Sequence, residues 1–214
     1  MSENEEALKT SLNEHRLRVK RITDFLKLSG GMSALLIGEH EGILASTLEE
    51  AFGCSVIWFE PMENFNGART SDMADTVAIK RPKGNPHRMP FDSECFDRLA
   101  SQFTLNYLRD PISALTDWCR VLKKDGIAAF VTLNSAFTGW HQRPLSRIRW
   151  TYSKEKLFAM LRCSGFSPIE STSLIPNLRL PMLYRGDLSF CLKLERLPIF
   201  RESGKILIVS AIKR

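Results

Sequence analysis

Short apolar runs alternate along the chain with longer segments whose apolar positions recur at helical spacing. The short runs predict buried strands, and they cover residues 33–38, 55–60, 76–80, 96–103, 126–134, 166–174 and 205–213. The longer segments predict helices over residues 5–28, 43–52, 110–122 and 153–163. This alternation predicts an α/β fold with a mostly parallel, seven-stranded sheet and helices on both faces. In such a sheet, the loops at the carboxyl ends of the strands meet at one edge, where ligands bind.

The flanking segments are predicted to belong to the same single domain, residues 1–214, because the chain is short for two cores. Residues 1–30 are expected to be an N-terminal helical segment and residues 135–204 a set of loops and short helices. The N-terminus is acidic and lacks the apolar core of a signal peptide, so a cytoplasmic protein without a membrane span is expected. The five cysteines are scattered, which predicts buried thiols and no metal site.

Positive charge is concentrated towards the C-terminus. Residues 135–214 hold 14 Lys and Arg against 5 Asp and Glu, in a protein of net charge +6. This asymmetry indicates an anionic partner or substrate, such as RNA, an acidic carrier protein, a phosphorylated substrate or a membrane surface. A solvated basic face explains it equally well, and nucleic acid is not favoured over the other partners.

A block of anchors in residues 84–134 carries a family signal. Its members are Gly84-Asn85-Pro86, Met89-Pro90-Phe91, Phe96-Asp97, Asp110-Pro111 and Arg120-Val121-Leu122-Lys123-Lys124-Asp125-Gly126. In this order and spacing the block resembles the middle of class I S-adenosylmethionine-dependent methyltransferases, most closely the type 11 group that includes ubiquinone and menaquinone biosynthesis enzymes. The resemblance extends over roughly residues 33–214, and it implies a Rossmann-like methyltransferase fold with S-adenosylmethionine as the cofactor.

The resemblance places the cofactor loop directly after the first strand. The outer glycines of the family's loop correspond to Gly38 and Gly42, while His40 stands at the middle position beside Glu39. Glycine suits this loop because the backbone turns tightly and passes close to the ligand. The loop is therefore a degenerate form of the motif. We expect either that it is displaced around His40 or that its carboxylates face the cofactor's ammonium group.

The remaining cofactor contacts follow from the same resemblance. Glu60 at the end of the second strand is expected to accept hydrogen bonds from the ribose hydroxyls, although a strand-end glutamate also occurs as a solubilising residue. The residues expected around the adenine are Pro61, Met62, Asn85, Pro86 and His87, and Phe103 is expected to be a further cofactor contact. Asn85 would accept from the adenine amino group and His87 would offer its backbone N–H. A turn residue is the alternative interpretation of Asn85.

Two residues are candidates for the chemistry itself. Methyl transfer needs alignment of the acceptor in a dry site more than it needs a fixed catalytic triad. Tyr107, after the fourth strand, would orient the acceptor, with a place in the core as the alternative. His141, in the loop after the fifth strand, is the candidate general base, with an ordinary surface histidine as the alternative.

Three functions remain open from the sequence. The first is a methyltransferase acting on a small-molecule or macromolecular acceptor that carries negative charge. The second is a non-catalytic protein of methyltransferase fold that binds a partner or another ligand, an alternative raised by His40. The third is an RNA-directed enzyme that uses the basic C-terminal portion.

Overall fold

The computed structural model describes residues 3–38, 42–62, 80–137, 148–174 and 204–214, with side chains from residue 14 onward. In chain order its elements are α1 (Glu3–Leu26), β1 (Ser33–Ile37), α2 (Ile43–Glu50), β2 (Ser55–Pro61), β3 (Lys83–Gly84), β4 (Phe96–Gln102), a 3-10 turn (Thr104–Asn106), α3 (Pro111–Val121), β5 (Leu122–Leu133), α4 (Lys154–Cys163), β6 (Phe166–Leu174) and β7 (Ile206–Lys213).

The seven strands form one sheet in the order β3-β2-β1-β4-β5-β7-β6. The prediction of a seven-stranded α/β sheet is confirmed, but the sheet is mixed. Strand β7 lies between β5 and β6 and runs antiparallel to both, whereas the other strands share one direction. The apolar pattern could not show this reversal, because a central strand is buried on both faces in either direction.

Helices cover both faces of the sheet, as predicted. One face packs against α3 and α4 around Trp118 and Phe130, whose rings stack with centroids 6.5 Å apart. The other face packs against α1 and α2, with Ile22 and Leu48 fully buried. Each layer therefore buries one stripe of its helices against the sheet, which is where the hydrophobic stabilisation of the fold comes from.

Local sequence signals set the starts of α3 and α4. Asp110 precedes Pro111 and its carboxylate accepts a hydrogen bond from Ser113 N at 3.0 Å. Ser153 caps α4 in the same way, accepting from Lys156 N at 3.3 Å. A capping side chain satisfies an N–H that the first helical turn leaves without a partner, so both predicted helix starts are confirmed.

Two sequence predictions differ in detail from the structure. Of the predicted strand 76–80, only Lys80 is among the described residues, where it forms an isolated parallel bridge with Ile57, and the described strand next to β2 is Lys83–Gly84. The expectation of buried thiols holds for Cys54 and Cys119 but is wrong for Cys163, which is exposed at the end of α4. Cys191 lies outside the described residues.

Candidate functional site

The carboxyl ends of β2, β1 and β4 lie side by side at one edge of the sheet. The chain leaves β1 towards β2 on one side, and β4 lies on the other, so the strand order reverses between β1 and β4. Open α/β sheets bind ligands at this kind of switch point, because the loops diverge there and leave a crevice. The predicted cofactor residues that the structure describes all lie at or beyond the carboxyl ends of β1, β2, β3 or β4.

Gly38 ends β1 in a left-handed conformation, with φ of 74°. Its N–H donates to Phe59 O at 3.3 Å, and a Cβ at this position would overlap the Thr104 hydroxyl. That hydroxyl donates to Ile37 O at 3.1 Å. Glycine is therefore required here both by the backbone angle and by the close approach of the loop after β4.

Gly42 closes the same loop and precedes the first residue of α2, with φ of 67°. A Cβ there would be in ordinary contact with the Trp58 ring at 3.7 Å. Both outer glycines of the predicted motif thus adopt conformations that favour glycine. Glu39 and His40 lie outside the described residues.

Glu60 stands at the tip of β2 and forms a salt bridge with β3. Its Oε2 lies 3.0 Å from Lys83 Nζ, and its side chain is 36% exposed. The register that pairs Glu60 with Lys83 brings the two together. A carboxylate has about four acceptor positions on its two oxygens, so the bridge to Lys83 holds the group in place while leaving it able to accept further hydrogen bonds.

Pro61 and Met62 follow Glu60 at the same edge. Pro61 is buried, whereas the Met62 side chain is 67% exposed although its N–H donates to Gly84 O at 2.8 Å. A large apolar side chain left exposed on a fixed backbone is available to pack against a ligand.

The predicted adenine contacts at Asn85 and His87 bond to each other. Asn85 Oδ1 accepts from His87 N at 2.9 Å, and the intervening Pro86 carbonyl accepts from the buried Trp118 Nε1 at 2.9 Å. The turn interpretation of Asn85 therefore describes its geometry in this structure. The amide oxygen keeps a second lone pair, so the turn also presents an acceptor beyond the end of β3.

Phe103 follows β4 in a left-handed conformation, with φ of 58°, and its N–H donates to Val131 O at 2.8 Å. The half-buried ring lies under the guanidinium of Arg18, with 5.2 Å between the Arg18 Cζ and the ring centroid. The hydrogen bond to Val131 and the contact with Arg18 hold Phe103 at the end of β4, the position at which a cofactor contact is expected.

The sequence did not single out Arg18, the residue of α1 that reaches this edge. Arg18 Nε donates to Gln102 Oε1 at 2.8 Å, and its NH2 lies 2.7 Å from His15 Nδ1. His15 and Gln102 are both buried. The sequence nevertheless indicated that His15 faces the protein, because it lies on the same side of the helix as Val19, Ile22 and Leu26.

The candidate acceptor side begins at the 3-10 turn after β4. Tyr107 ends this turn and is half-buried, and burial raises the pKa of its phenol. The neighbouring Asn106 is fully buried and donates from Nδ2 to Trp150 O at 2.8 Å. This hydrogen bond joins the turn to the segment that begins at residue 148. Residues 138–147, which include His141, lie outside the described residues.

The ends of that loop are held together. Asn134 forms a parallel bridge with Tyr152, and the buried Tyr152 hydroxyl donates to Leu105 O at 2.8 Å. The described residues on either side of 138–147 therefore meet above the turn after β4. The role of His141 at the acceptor side stays a prediction.

Comparison with known proteins places this fold in a class. The sheet order, the glycine turn after β1 and the acid at the tip of β2 define a Rossmann-like fold. Residues 35–130 match the family model described as a methyltransferase domain. A comparison with curated proteins finds no match.

Solved methyltransferases share the whole architecture at low identity. A methyltransferase from Mesorhizobium loti, described as S-adenosylmethionine-dependent, is 15% identical with a TM-score of 0.66 over 91% of this chain and 96% of that chain. One from Thermotoga maritima, described as a possible histamine N-methyltransferase, is 20% identical with a TM-score of 0.65 over 94% and 91%. Phosphoethanolamine N-methyltransferase 2 from Haemonchus contortus, solved with S-adenosyl-L-methionine, is 16% identical with a TM-score of 0.65 over 92% of this chain and 52% of that chain.

These findings do not favour the non-catalytic alternative, and the finer likeness to ubiquinone and menaquinone enzymes stays a prediction.

Among the helices in the described part of the chain, none combines the length and apolar character needed to cross a membrane.

Proposed function

We propose that the protein is an S-adenosylmethionine-dependent methyltransferase whose cofactor lies across the carboxyl ends of β1, β2 and β4. The observation that carries the proposal is the half-exposed Glu60 carboxylate at the tip of β2, held by Lys83. S-adenosylmethionine supplies an electrophilic methyl group together with its own leaving group, so the protein's task is to bind and align.

The donor set at this edge fits the cofactor. Glu60 offers carboxylate oxygens for the two ribose hydroxyls, and the left-handed Gly38 lets the backbone pass close to the methionine portion. Met62 and Phe103 supply apolar surface, and Asn85 supplies an amide oxygen for the adenine amino group. A methionine side chain adapts its shape to a flat ring, which suits this role.

Acceptor binding is proposed on the other side of the switch point. Tyr107 would orient the acceptor, because it ends the turn that follows β4 and is half-buried. His141 would accept a proton from an acceptor of high pKa. The proposed acceptor carries negative charge, in keeping with the basic residues 135–214.

Calorimetric titration with S-adenosylmethionine tests the proposal. The wild-type protein should bind, and Glu60→Ala should bind about 10-fold more weakly or worse, since a hydrogen bond to a charged group contributes roughly 1.5–3 kcal/mol. Glu94→Ala is the matched control, because Glu94 is also a half-exposed glutamate paired with a lysine, Lys213 at 3.2 Å, but at the opposite edge of the sheet. Absence of wild-type binding at millimolar cofactor would overturn the proposal.

A further inference from the structure

Trp150 is held rigidly on the acceptor side and is nevertheless exposed. Its indole Nε1 donates to Leu108 O at 2.8 Å, and its backbone N–H donates to Asn106 O at 3.1 Å. Its carbonyl accepts from Asn106 Nδ2 at 2.8 Å. The side chain is still 39% exposed. An aromatic side chain that is already immobilised loses little conformational entropy when a ligand packs on it.

One cationic side chain lies near this ring, and a second belongs to the residue that precedes Trp150 in the chain. The Lys156 ammonium lies 5.2 Å from the Trp150 ring centroid, and the adjacent Arg149 is exposed. In the part of the chain that the structure describes, no carboxylate forms a salt bridge with Arg149 or Lys156. Their charges are therefore available to an anion.

Two acids close in the chain to the residues of this surface make local hydrogen bonds. Asp110 uses its carboxylate to cap α3 through Ser113 N at 3.0 Å. Glu155 accepts hydrogen bonds from Ser153 and from its own backbone, which lower its pKa. Neither carboxylate forms a salt bridge with Arg149 or Lys156 in the described part of the chain.

The surface adjoins the proposed site. Trp150 bonds to Asn106 and Leu108, and Tyr107 is the residue between them. A ligand that touches Trp150 therefore lies next to the turn that follows β4, where the acceptor is expected. This inference rests on the proposed function.

We propose that Trp150, Arg149 and Lys156 recognise a nucleotide unit of the acceptor. The flat base packs on the exposed part of the indole, and the phosphate lies against the two cations. Stacking on an aromatic side chain beside cations is the general way in which proteins hold single-stranded nucleic acid without reading sequence. The same chemistry fits a free nucleotide. The proposal commits to single-stranded RNA, because a polyanion can contact several cations at once.

Fluorescence anisotropy of a labelled RNA of ten uridines tests the proposal on the full-length protein. Trp150→Ala should weaken binding about 10-fold, because stacking contributes roughly 1–3 kcal/mol per base. Trp150→Phe keeps a ring without the Nε1–H donor and should restore most of the affinity. Arg149→Gln and Lys156→Gln should each weaken binding and reduce its salt dependence. Lys124→Gln, an equal loss of charge at the opposite edge of the sheet, should leave binding unchanged.

Unlabelled competitors distinguish the sources of the ligand. Displacement by the ten-uridine RNA, with uridine monophosphate at the same nucleotide concentration far less effective, identifies RNA, whereas equal displacement identifies a free nucleotide. A peptide of ten glutamates that competes as well as RNA would overturn the proposal, because it has charge without bases. So would wild-type protein that does not bind RNA at low salt, or Trp150→Ala with unchanged affinity.

Calorimetry with S-adenosylmethionine on the same samples separates the two proposals. Cofactor binding without RNA binding rejects this inference alone. RNA binding that depends on Trp150, without cofactor binding, rejects the proposed function while the nucleotide surface stands.

Discussion

Arg18 and Gln102, 84 positions apart in the chain, are joined by a 2.8 Å hydrogen bond between the guanidinium Nε and the amide Oε1. A second link lies further down the same pair of elements, where Arg98 donates to Leu26 O at the end of α1. From Arg18 to Leu26 the helix advances about 12 Å, and from Arg98 to Gln102 the strand advances about 13 Å. The matched spacing lays α1 antiparallel along β4 and brings its Arg18 turn to the edge that holds the proposed cofactor site.

Loss of the hydrogen bond between Arg18 and Gln102 should loosen the N-terminal half of α1. For Arg18→Gln we expect amide hydrogen exchange in residues 14–22 to become several-fold faster, because the charged hydrogen bond to the buried Gln102 is lost. The measurement is native-state exchange followed by mass spectrometry. Arg16→Gln, an exposed arginine on the same helix, is the control, and equal exchange in both variants would show that the bond does not anchor the helix.

Gly38 should tolerate alanine far less well than another left-handed glycine. Gly31 has φ of 79° and no atom where a Cβ would be placed, whereas a Cβ at Gly38 would overlap the Thr104 hydroxyl. Gly31→Ala therefore shows the backbone strain alone, of about 1 kcal/mol. Chemical denaturation of Gly38→Ala should show a loss at least about 1 kcal/mol larger, since steric overlap is added.

Removing the Thr104 hydroxyl tests whether steric overlap causes the additional loss of stability in Gly38→Ala. In Gly38→Ala combined with Thr104→Ala, the two losses of unfolding free energy should be less than additive, because the overlap disappears. Strict additivity would mean that the close approach of Thr104 to Gly38 is not the reason for glycine at this position.

Asp97 should contribute to stability in a defined pH range. Its carboxylate accepts from Ser33 N at 2.9 Å, Ser33 Oγ at 2.7 Å and Lys123 Nζ at 2.8 Å. Burial would raise the pKa of Asp97, but the hydrogen bonds from Lys123 and Ser33 outweigh it and lower the pKa to about 2 from 3.8. A lowered pKa in the folded state contributes stability that is full above 3.8 and is lost as the pH falls towards 2.

Denaturation curves at several pH values check this sign. Asp97→Asn should be about 1–2 kcal/mol less stable than wild type at pH 7, and the difference should shrink as the pH falls from about 4 towards 2. Asp92→Asn, at an exposed carboxylate five positions earlier in the chain, is the control for the loss of one negative charge at pH 7. A wild-type advantage that stays constant down to pH 2 would contradict the assignment.

Local signals in the sequence predicted those parts of the fold that depend on neighbouring residues. The caps at Asp110 and Ser153 and the left-handed Gly38 each follow from a side chain or backbone angle within one turn. The reversed β7 did not follow, because buried apolar runs look alike in both directions. The salt bridge of Glu60 with Lys83 depends on a strand register that begins at residue 83, beyond the predicted strand 76–80. Such pairings are decided by contacts between distant segments.

In the candidate site, too, local features could be predicted from the sequence and contacts between distant segments could not. The position of Glu60 at a strand end followed from the resemblance. A turn at Asn85 was the alternative interpretation, but the hydrogen bond from His87 N to its side chain was not predicted. The role of Arg18 was not predicted, because Arg18 meets Gln102 only in the folded sheet.

We propose that the Glu60 carboxylate holds the ribose of the cofactor. Calorimetry with S-adenosylhomocysteine and its 2′-deoxy analogue, on wild type and Glu60→Ala, measures that contact directly. Wild type should prefer the ribose form by about 10-fold or more, because its hydroxyl meets a charged acceptor, and Glu60→Ala should bind the two forms equally. A preference that is the same in both proteins would contradict it.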